Sequence, residues 1–279
     1  MSEIELSEIQ DKIDNMPALS PSTLELISVI DDVKTKRTDI AKLVVLDQAL
    51  CAKIFKYANS VAMAGVRAVQ SVNEAIDLLG LGELKNLAFM TAAKDMYIST
   101  DSDRGARFWY SSVFLAAGAH KFATDLNLPS RYCEELYMAG LMLSYGKILL
   151  NTYYTDIYDK IKDEPDFYKL LELEKSRFGL NHIEISVFAL AECGLPPTVL
   201  EIIECQQCKD GPRYMRQNAV LELLMYLRYI DIEDEFAMEK LMRNRELIDL
   251  IDEYNLGGLK LNLKKALDLH KMAQTLSAL

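Results

Sequence analysis

The feature that most constrains the fold is the spacing of apolar residues, which recur every three or four positions in short segments closed by capping or helix-breaking residues. Met16-Pro17-Ala18-Leu19-Ser20-Pro21, whose prolines resist helix, is read as the first ordered feature and holds the chain extended. Ser22 and Glu25 then form a capping box for a helix with Leu24, Leu26, Ile27 and Ile30, running to about Val33. Thr38 opens a second helix with Ile40, Leu43 and Val44 inward. A third spans Asp47 to Asn59, with Leu50, Ile54, Phe55 and Ala58 on one side and Ala58-Asn59-Ser60 as its stop. After a loop containing Gly65, Ser71 and Glu74 cap a helix through Ala75, Ile76 and Leu79. Gly80 and Gly82 punctuate the chain before Leu84, Leu87, Ala88 and Met90 carry the next.

The pattern continues downstream. Ser99 to Gly105 is polar and reads as a connector between two helical layers. Phe108 and Trp109 begin a long helix containing Ala116, Ala117, His120 and Phe122 that closes at Leu126-Asn127-Leu128-Pro129. One further helix is expected over about Arg131 to Thr152. Beyond the turn Asp210-Gly211-Pro212, helices follow around Leu221, Leu224, Met225 and Leu227, over Phe236 to Tyr254, and over Leu259 to Leu276. Each is apolar on one face. Seven prolines and twelve glycines are few for 279 residues, so an all-α fold is expected. No internal repeat, low-complexity tract or long heptad run is present.

A formal net charge of −11 repels phosphate backbones, and no dense Lys/Arg cluster stands out along the chain, so nucleic-acid binding is not expected. Met1 to Asn15 is polar and acidic, and no apolar run reaches the length of a membrane span. A cytoplasmic protein with no membrane attachment is expected. The five cysteines, at 51, 133, 193, 205 and 208, have no framework spacing, and disulfides are not expected. Cys205 and Cys208 form a lone CxxC, read as two reduced thiols at a helix end rather than half of a zinc site.

The stretch that bears on chemistry is Ala139-Gly140-Leu141-Met142-Leu143-Ser144-Tyr145-Gly146-Lys147. It is similar to the motif of HD metal-dependent phosphohydrolases, in which an adjacent His-Asp pair of metal ligands precedes the Gly-Lys. The two ligand places hold Leu143 and Ser144. Leucine offers no lone pair, and an un-ionised serine is a poor ligand. The wider succession is Met-Pro-Ala-Leu, Asp47 and Leu50, Ala58-Asn59-Ser60, Val69 and Ser71, Ala75-Ile76 and Leu79-Gly80. It continues with Trp109, Phe178-Gly179-Leu180-Asn181-His182 and Cys193-Gly194-Leu195-Pro196. This resembles the HDOD domain, the HD-related output domain of bacterial signalling proteins. The likeness implies an HDOD domain over 16–210, with an N-terminal helical part at 16–98 and a degenerate HD-like part at 106–210. The helices of 211–279 are expected to pack on the HD-like part.

The resemblance also implies a histidine soon after the tryptophan, and Ser111 stands there. It implies two histidines after the Leu-Pro helix, and Glu204-Cys205-Gln206-Gln207 stands there instead. His182 is the one family histidine kept, and of three histidines in all neither His120 nor His270 has a ligand-like setting. No catalytic residue, metal or cofactor is therefore expected. A vestigial pocket is assigned to Ser111, Leu143, Ser144, Lys147, His182 and Gln206. Within it the Gly146-Lys147 pair reads first as a close helix contact with the lysine amine in water, and second as an anion clamp. Ser111 and Ser112 lack a nucleophile elbow, and Tyr153, Tyr154 and Tyr158 read as an aromatic helix surface, with partner binding as the further reading. Two things follow from the resemblance. The chain is a non-catalytic regulator in bacterial signal transduction, and it acts by contact with signalling proteins in trans. The alternatives are a pseudo-enzyme sensing a nucleotide or other small phosphorylated ligand, and a residual metal-dependent phosphohydrolase.

Overall fold

The computed structural model describes residues 6–15, 21–32, 34–62, 69–98, 102–164, 166–208, 215–231, 233–234 and 236–279. No strand occurs among them, so the fold is all-α as the periodicity predicts. None of their helices is long and apolar enough to cross a membrane. Contacts divide the chain into two compact units. One comprises Leu19–Met96 with Ala278–Leu279, the other Met1–Ala18 with Tyr97–Ser277. The expected features at 16–20, at Val33, at Gly65 and at 210–212, and the side chain of Ser22, lie outside the described residues.

The smaller unit is built from α2 (Pro21–Asp31), α3 (Arg37–Leu46), α4 (Gln48–Ala62), α5 (Val72–Leu79) and most of α6 (Leu81–Ile98). Its core gathers Leu26, Ile40, Val44, Leu50, Ile54, Ala58, Ala75, Ile76, Leu84 and Leu87, all buried. Local capping sets the element ends. Asp47 accepts from the Leu50 amide at 2.9 Å, and Ser71 accepts from Glu74 at 3.1 Å while Glu74 reaches back to the Gln70 amide. Gly80 closes α5 at φ 81°. One stop signal is displaced, because α4 continues through Asn59 to Ala62. The Asn59 amide instead donates to the Phe55 carbonyl and accepts from the Val69 amide at 2.8 Å, clasping the returning chain. A short polar side chain serves either purpose.

The larger unit surrounds two long helices, α7 (Ser102–Asp125) and α8 (Ser130–Met142). Residues Ser102 to Gly105, expected as connector, already form the first turn of α7. A Cβ at Gly140 would lie 2.9 Å from the backbone of Leu115 and Ala116, so the two helices meet at main-chain distance. Tyr97 donates to the Leu141 carbonyl at 2.7 Å and accepts from Ser112 at 3.0 Å, tying both helices from a fully enclosed position. The helix expected over 131–152 is broken at Leu143–Ser144, and α9 (Tyr145–Tyr153) follows. Then come α10 (Thr155–Tyr158), α11 (Phe167–Phe178), α12 (His182–Glu192), α13 (Pro197–Glu204) and a 3₁₀ turn at Cys205–Gln207.

The C-terminal segment adds α14 (Met215–Leu227), α15 (Ala237–Leu241), α16 (Arg245–Glu253) and α17 (Leu263–Ser277). The single helix expected over 236–254 is interrupted because Asn244 turns to cap α16, accepting from the Leu247 amide at 3.2 Å. α17 packs along α7, where Trp109 donates to the Ser277 carbonyl at 3.1 Å and the Tyr110 hydroxyl pairs with His270 Nδ1 at 2.8 Å. His270 thus has a structural place. A helix precedes the expected first ordered feature. α1 (Leu6–Asp14) buries Ile9 and Ile13 against α12 and α9, and Tyr154 donates to Glu8 at 3.2 Å. The polar composition of the first fifteen residues hides this narrow apolar stripe.

Replacing Gly140 with valine is expected to cost about 2–3 kcal/mol by forcing α7 and α8 apart. The thermal midpoint read by circular dichroism then falls by roughly 5–10 °C. An unchanged midpoint contradicts the close crossing.

Candidate functional site

Glycine 146 determines how the motif is presented. A Cβ there would lie 2.2 Å from the His182 carbonyl oxygen and 2.9 Å from Ile185, so α9 rests directly on the backbone of α12. The Gly146 amide donates to the Ser186 hydroxyl at 2.7 Å, and that hydroxyl donates onward to the His182 carbonyl at 2.8 Å. Its oxygen also lies 3.3 Å from the Leu143 carbonyl. The chain therefore stops α8, turns at Leu143 and Ser144, and restarts as α9 with Lys147 in its first turn.

That turn borders a cavity of about 610 Å³ within the larger unit. Four cations line it: Arg107 from α7, Lys147 from α9, Lys162, and Arg228 just past the end of α14. Asp163 is the carboxylate on its wall, and Phe108, Tyr110 and Tyr229 supply aromatic surface, with Tyr158 buried beside them. Lys162 is paired with Asp159 at 2.6 Å. Lys147 and Arg228 are different. Among the described residues neither has a carboxylate within ion-pair distance, and the Lys147 ammonium has no hydrogen-bond partner. Arg228 donates to the Ser111 hydroxyl and the Tyr229 hydroxyl, and its guanidinium lies 4.4 Å from the Tyr229 ring centroid. Its Nε is buried without an acceptor.

The electrostatic cost shows in Lys147. Burial, with the nearby Arg228 adding to it, lowers its ammonium from 10.5 to about 8, and Glu174 only partly opposes this. Burial likewise lowers Arg228. The lysine is also in the first turn of α9, where the helix dipole disfavours a cation.

Behind the cavity wall lies a second buried group. Glu174 is fully enclosed and accepts from the His182 amide at 2.9 Å, from His182 Nδ1 at 2.6 Å and from Tyr158 at 3.2 Å. Burial alone would raise this carboxyl, but the histidine ring, Lys147 and the backbone donor outweigh it and hold it below the usual range. His182 is pushed the other way, below its ordinary value, chiefly by burial and further by Lys147 and Arg228 against the pull of Glu174. The contact is thus a neutral imidazole donating from Nδ1 to a carboxylate. Its Nε2 keeps a lone pair and is buried without a partner.

Of the pocket residues expected from sequence, Ser111, Ser144 and Lys147 line one cavity. Leu143 and His182 are enclosed in the core and do not line it. Gln206 is buried in the 3₁₀ turn, 3.4 Å from the Ile202 carbonyl, and is likewise not on the cavity wall. The close-contact reading describes Gly146. Lys147 is half-buried on the cavity wall, and among the described residues its ammonium has no hydrogen-bond partner. Arg107, Lys162 and Arg228 were not identifiable as site residues, because they are 55 and 66 residues apart in sequence and no local pattern joins them. Tyr158 joins the site, while Tyr153 is exposed and has Lys12 5.0 Å over its ring. Among the described residues no three His, Cys, Asp or Glu side chains converge as a metal site would need.

The HDOD domain profile matches residues 16–208, and the chain belongs to that family. A curated relative, an uncharacterised protein of Treponema pallidum (strain Nichols), is 25% identical over 202 residues, covering 71% of this chain and 38% of its own length. The chain thus spans well under half of that relative. Among solved structures, a protein provisionally assigned as a phosphohydrolase from Shewanella amazonensis SB2B superposes with a TM-score of 0.75 at 20% identity, covering 97% of both chains. An HDOD domain protein of unknown function from Geobacter sulfurreducens gives 0.71 at 20% identity, over 98% of this chain and 94% of that one. A provisionally assigned signal transduction protein from Marinobacter aquaeolei VT8 gives 0.62 at 19% identity, over 93% of this chain and 60% of that one. These likenesses establish the fold.

Lys147→Met keeps the stem's packing and removes a charge that burial disfavours. The folded lysine loses its proton near 8 and the unfolded one near 10.5, so the cost is full below 8 and relieved as pH rises towards 10.5. The variant is expected to be more stable than the parent by about 1–2 kcal/mol at pH 7. That advantage shrinks steadily by pH 10 in chemical denaturation. A variant destabilised at pH 7 contradicts the desolvated, unpaired lysine.

Proposed function

We propose that this chain is a non-catalytic regulatory module of bacterial signal transduction whose output is carried by contacts with other signalling proteins. Membership of the HDOD family supports the signalling role, as does the fold shared with the Marinobacter protein provisionally assigned to signal transduction. The observation that carries the non-catalytic reading is the occupancy of the ligand places. Leu143 is enclosed and apolar, Ser144 caps no helix with its side chain, and Ser111 is held by an arginine. Hydrolysis through a metal needs several lone-pair donors converging on one ion, so that it can acidify water and neutralise developing charge. Here a guanidinium and an ammonium flank that space, and two like charges repel an incoming cation. His182, the one family histidine kept, spends Nδ1 on Glu174, and among the described residues no third His, Cys, Asp or Glu converges on that pair.

The test is elemental analysis of the purified protein, combined with assays against phosphomonoesters, phosphodiesters and nucleotides supplied with manganese, magnesium or iron. The expected result is metal well below one equivalent and no turnover above the blank. Stoichiometric bound metal with turnover that is lost in Glu174→Gln overturns the reading.

A further inference from the structure

From the two unpaired cations we infer that the cavity is a binding site for a small phosphate-bearing molecule of about mononucleotide size, with Lys147 and Arg228 holding the phosphoryl group. The inference rests on the non-catalytic reading, since a hydrolase would consume such a ligand rather than hold it.

The first argument is charge. In a chain of net charge −11, surface cations are readily matched by carboxylates, as Lys162 is by Asp159. Lys147 and Arg228 instead line one cavity together, each half-buried, with no carboxylate in ion-pair distance among the described residues. Keeping two like charges in such a place costs stability, and an anion occupying the cavity offsets that cost. The wall carboxylate Asp163 and the buried Glu174 do not remove this surplus. Glu174 is already taken by His182 and Tyr158, and Lys147 and Arg107 remain cationic alongside Arg228.

The second argument is geometry. The first turn of α9 borders the cavity with its positive dipole end, and Ser111 and Ser144 line the same wall. Arg228 is held by its bonds to the Ser111 and Tyr229 hydroxyls, which leave one N–H on each terminal nitrogen to donate to phosphoryl oxygens. A volume of about 610 Å³ exceeds what an inorganic ion needs, and Phe108 and Tyr110 offer surface for a planar ring. Arg228 and Tyr229 lie beyond residues 16–208, so the segment that completes this site is outside the part shared with the family profile.

Calorimetric titration and thermal shift of the full chain with ADP, AMP, inorganic pyrophosphate, adenosine and citrate test this. ADP or AMP is expected to bind and raise the melting temperature, pyrophosphate to do so more weakly, and adenosine and citrate to do neither. Lys147→Met and Arg228→Lys are each expected to weaken binding at least tenfold. Lys147→Met is expected to stay folded, and its circular dichroism melt, read alongside the titration, separates lost binding from unfolding. Chromatography after incubation is expected to return the nucleotide intact. The inference is overturned if no phosphate compound binds at millimolar concentration, if citrate matches ADP, or if Lys147→Met binds as the parent does. Binding followed by conversion to products would leave the site assignment standing and would count against the non-catalytic reading alone.

Discussion

The contact on which the site depends is that of Gly146 with the backbone of His182. With any side chain at 146, α9 could not rest on the first turn of α12, and three consequences of that contact would be lost together. Ser186 could not take the Gly146 amide, so the turn at Leu143–Ser144 would lose the hydroxyl that fastens it. Lys147, one residue on, would not be directed into the cavity. His182, whose carbonyl is the contact point, would lose the wall that encloses its pairing with Glu174. The requirement is steric, and a glycine at this point is explained by packing without any chemistry.

Charge is then distributed around that packing in a particular way. Glu174 is the buried anion, neutral His182 is its donor, and Lys147 lies close enough to lower both. Arg228 comes from the other end of the chain and bonds Ser111, at the place where the family resemblance puts a metal-binding histidine. A metal ion and a guanidinium share one property, a concentrated positive charge. They differ in that the guanidinium neither acidifies water nor exchanges ligands. On the reading proposed above, a guanidinium in place of a metal keeps attraction for anions without the means of hydrolysing them. Recognition without turnover suits a regulator, because an occupied state must persist long enough to bias its contacts with partners.

The helices were legible in the sequence where amphipathic spacing and capping chemistry coincide. Ser71 with Glu74, and Ile40 with Val44, are such places. Errors arose where a residue type has two uses. Asn59 clasps a returning chain instead of ending α4, and Asn244 starts a helix in the middle of an apolar-periodic run. α1 was missed because two isoleucines among acids make a weak stripe. At the site, Ser111, Ser144 and Lys147 were recognisable through a motif with fixed spacing. Arg228 was not, since it is 117 residues from its hydrogen-bond partner and nothing along the chain marks it. The absence of a basic cluster in the linear sequence therefore says little about this fold, which assembles its cationic pocket from four separate segments.

The ionisation of Lys147 tests the account most directly. Carbon-detected NMR of the lysine side chains, with the Lys147 resonance identified by its absence from Lys147→Met, gives that ionisation residue by residue. The structure predicts a titration near 8 that moves upward when pyrophosphate is added, as an anion beside the ammonium stabilises its charge. A Lys147 that titrates with the exposed lysines, near 10.4 as in model peptides, and ignores pyrophosphate would mean that the amine is solvated and the cavity has no unpaired charge.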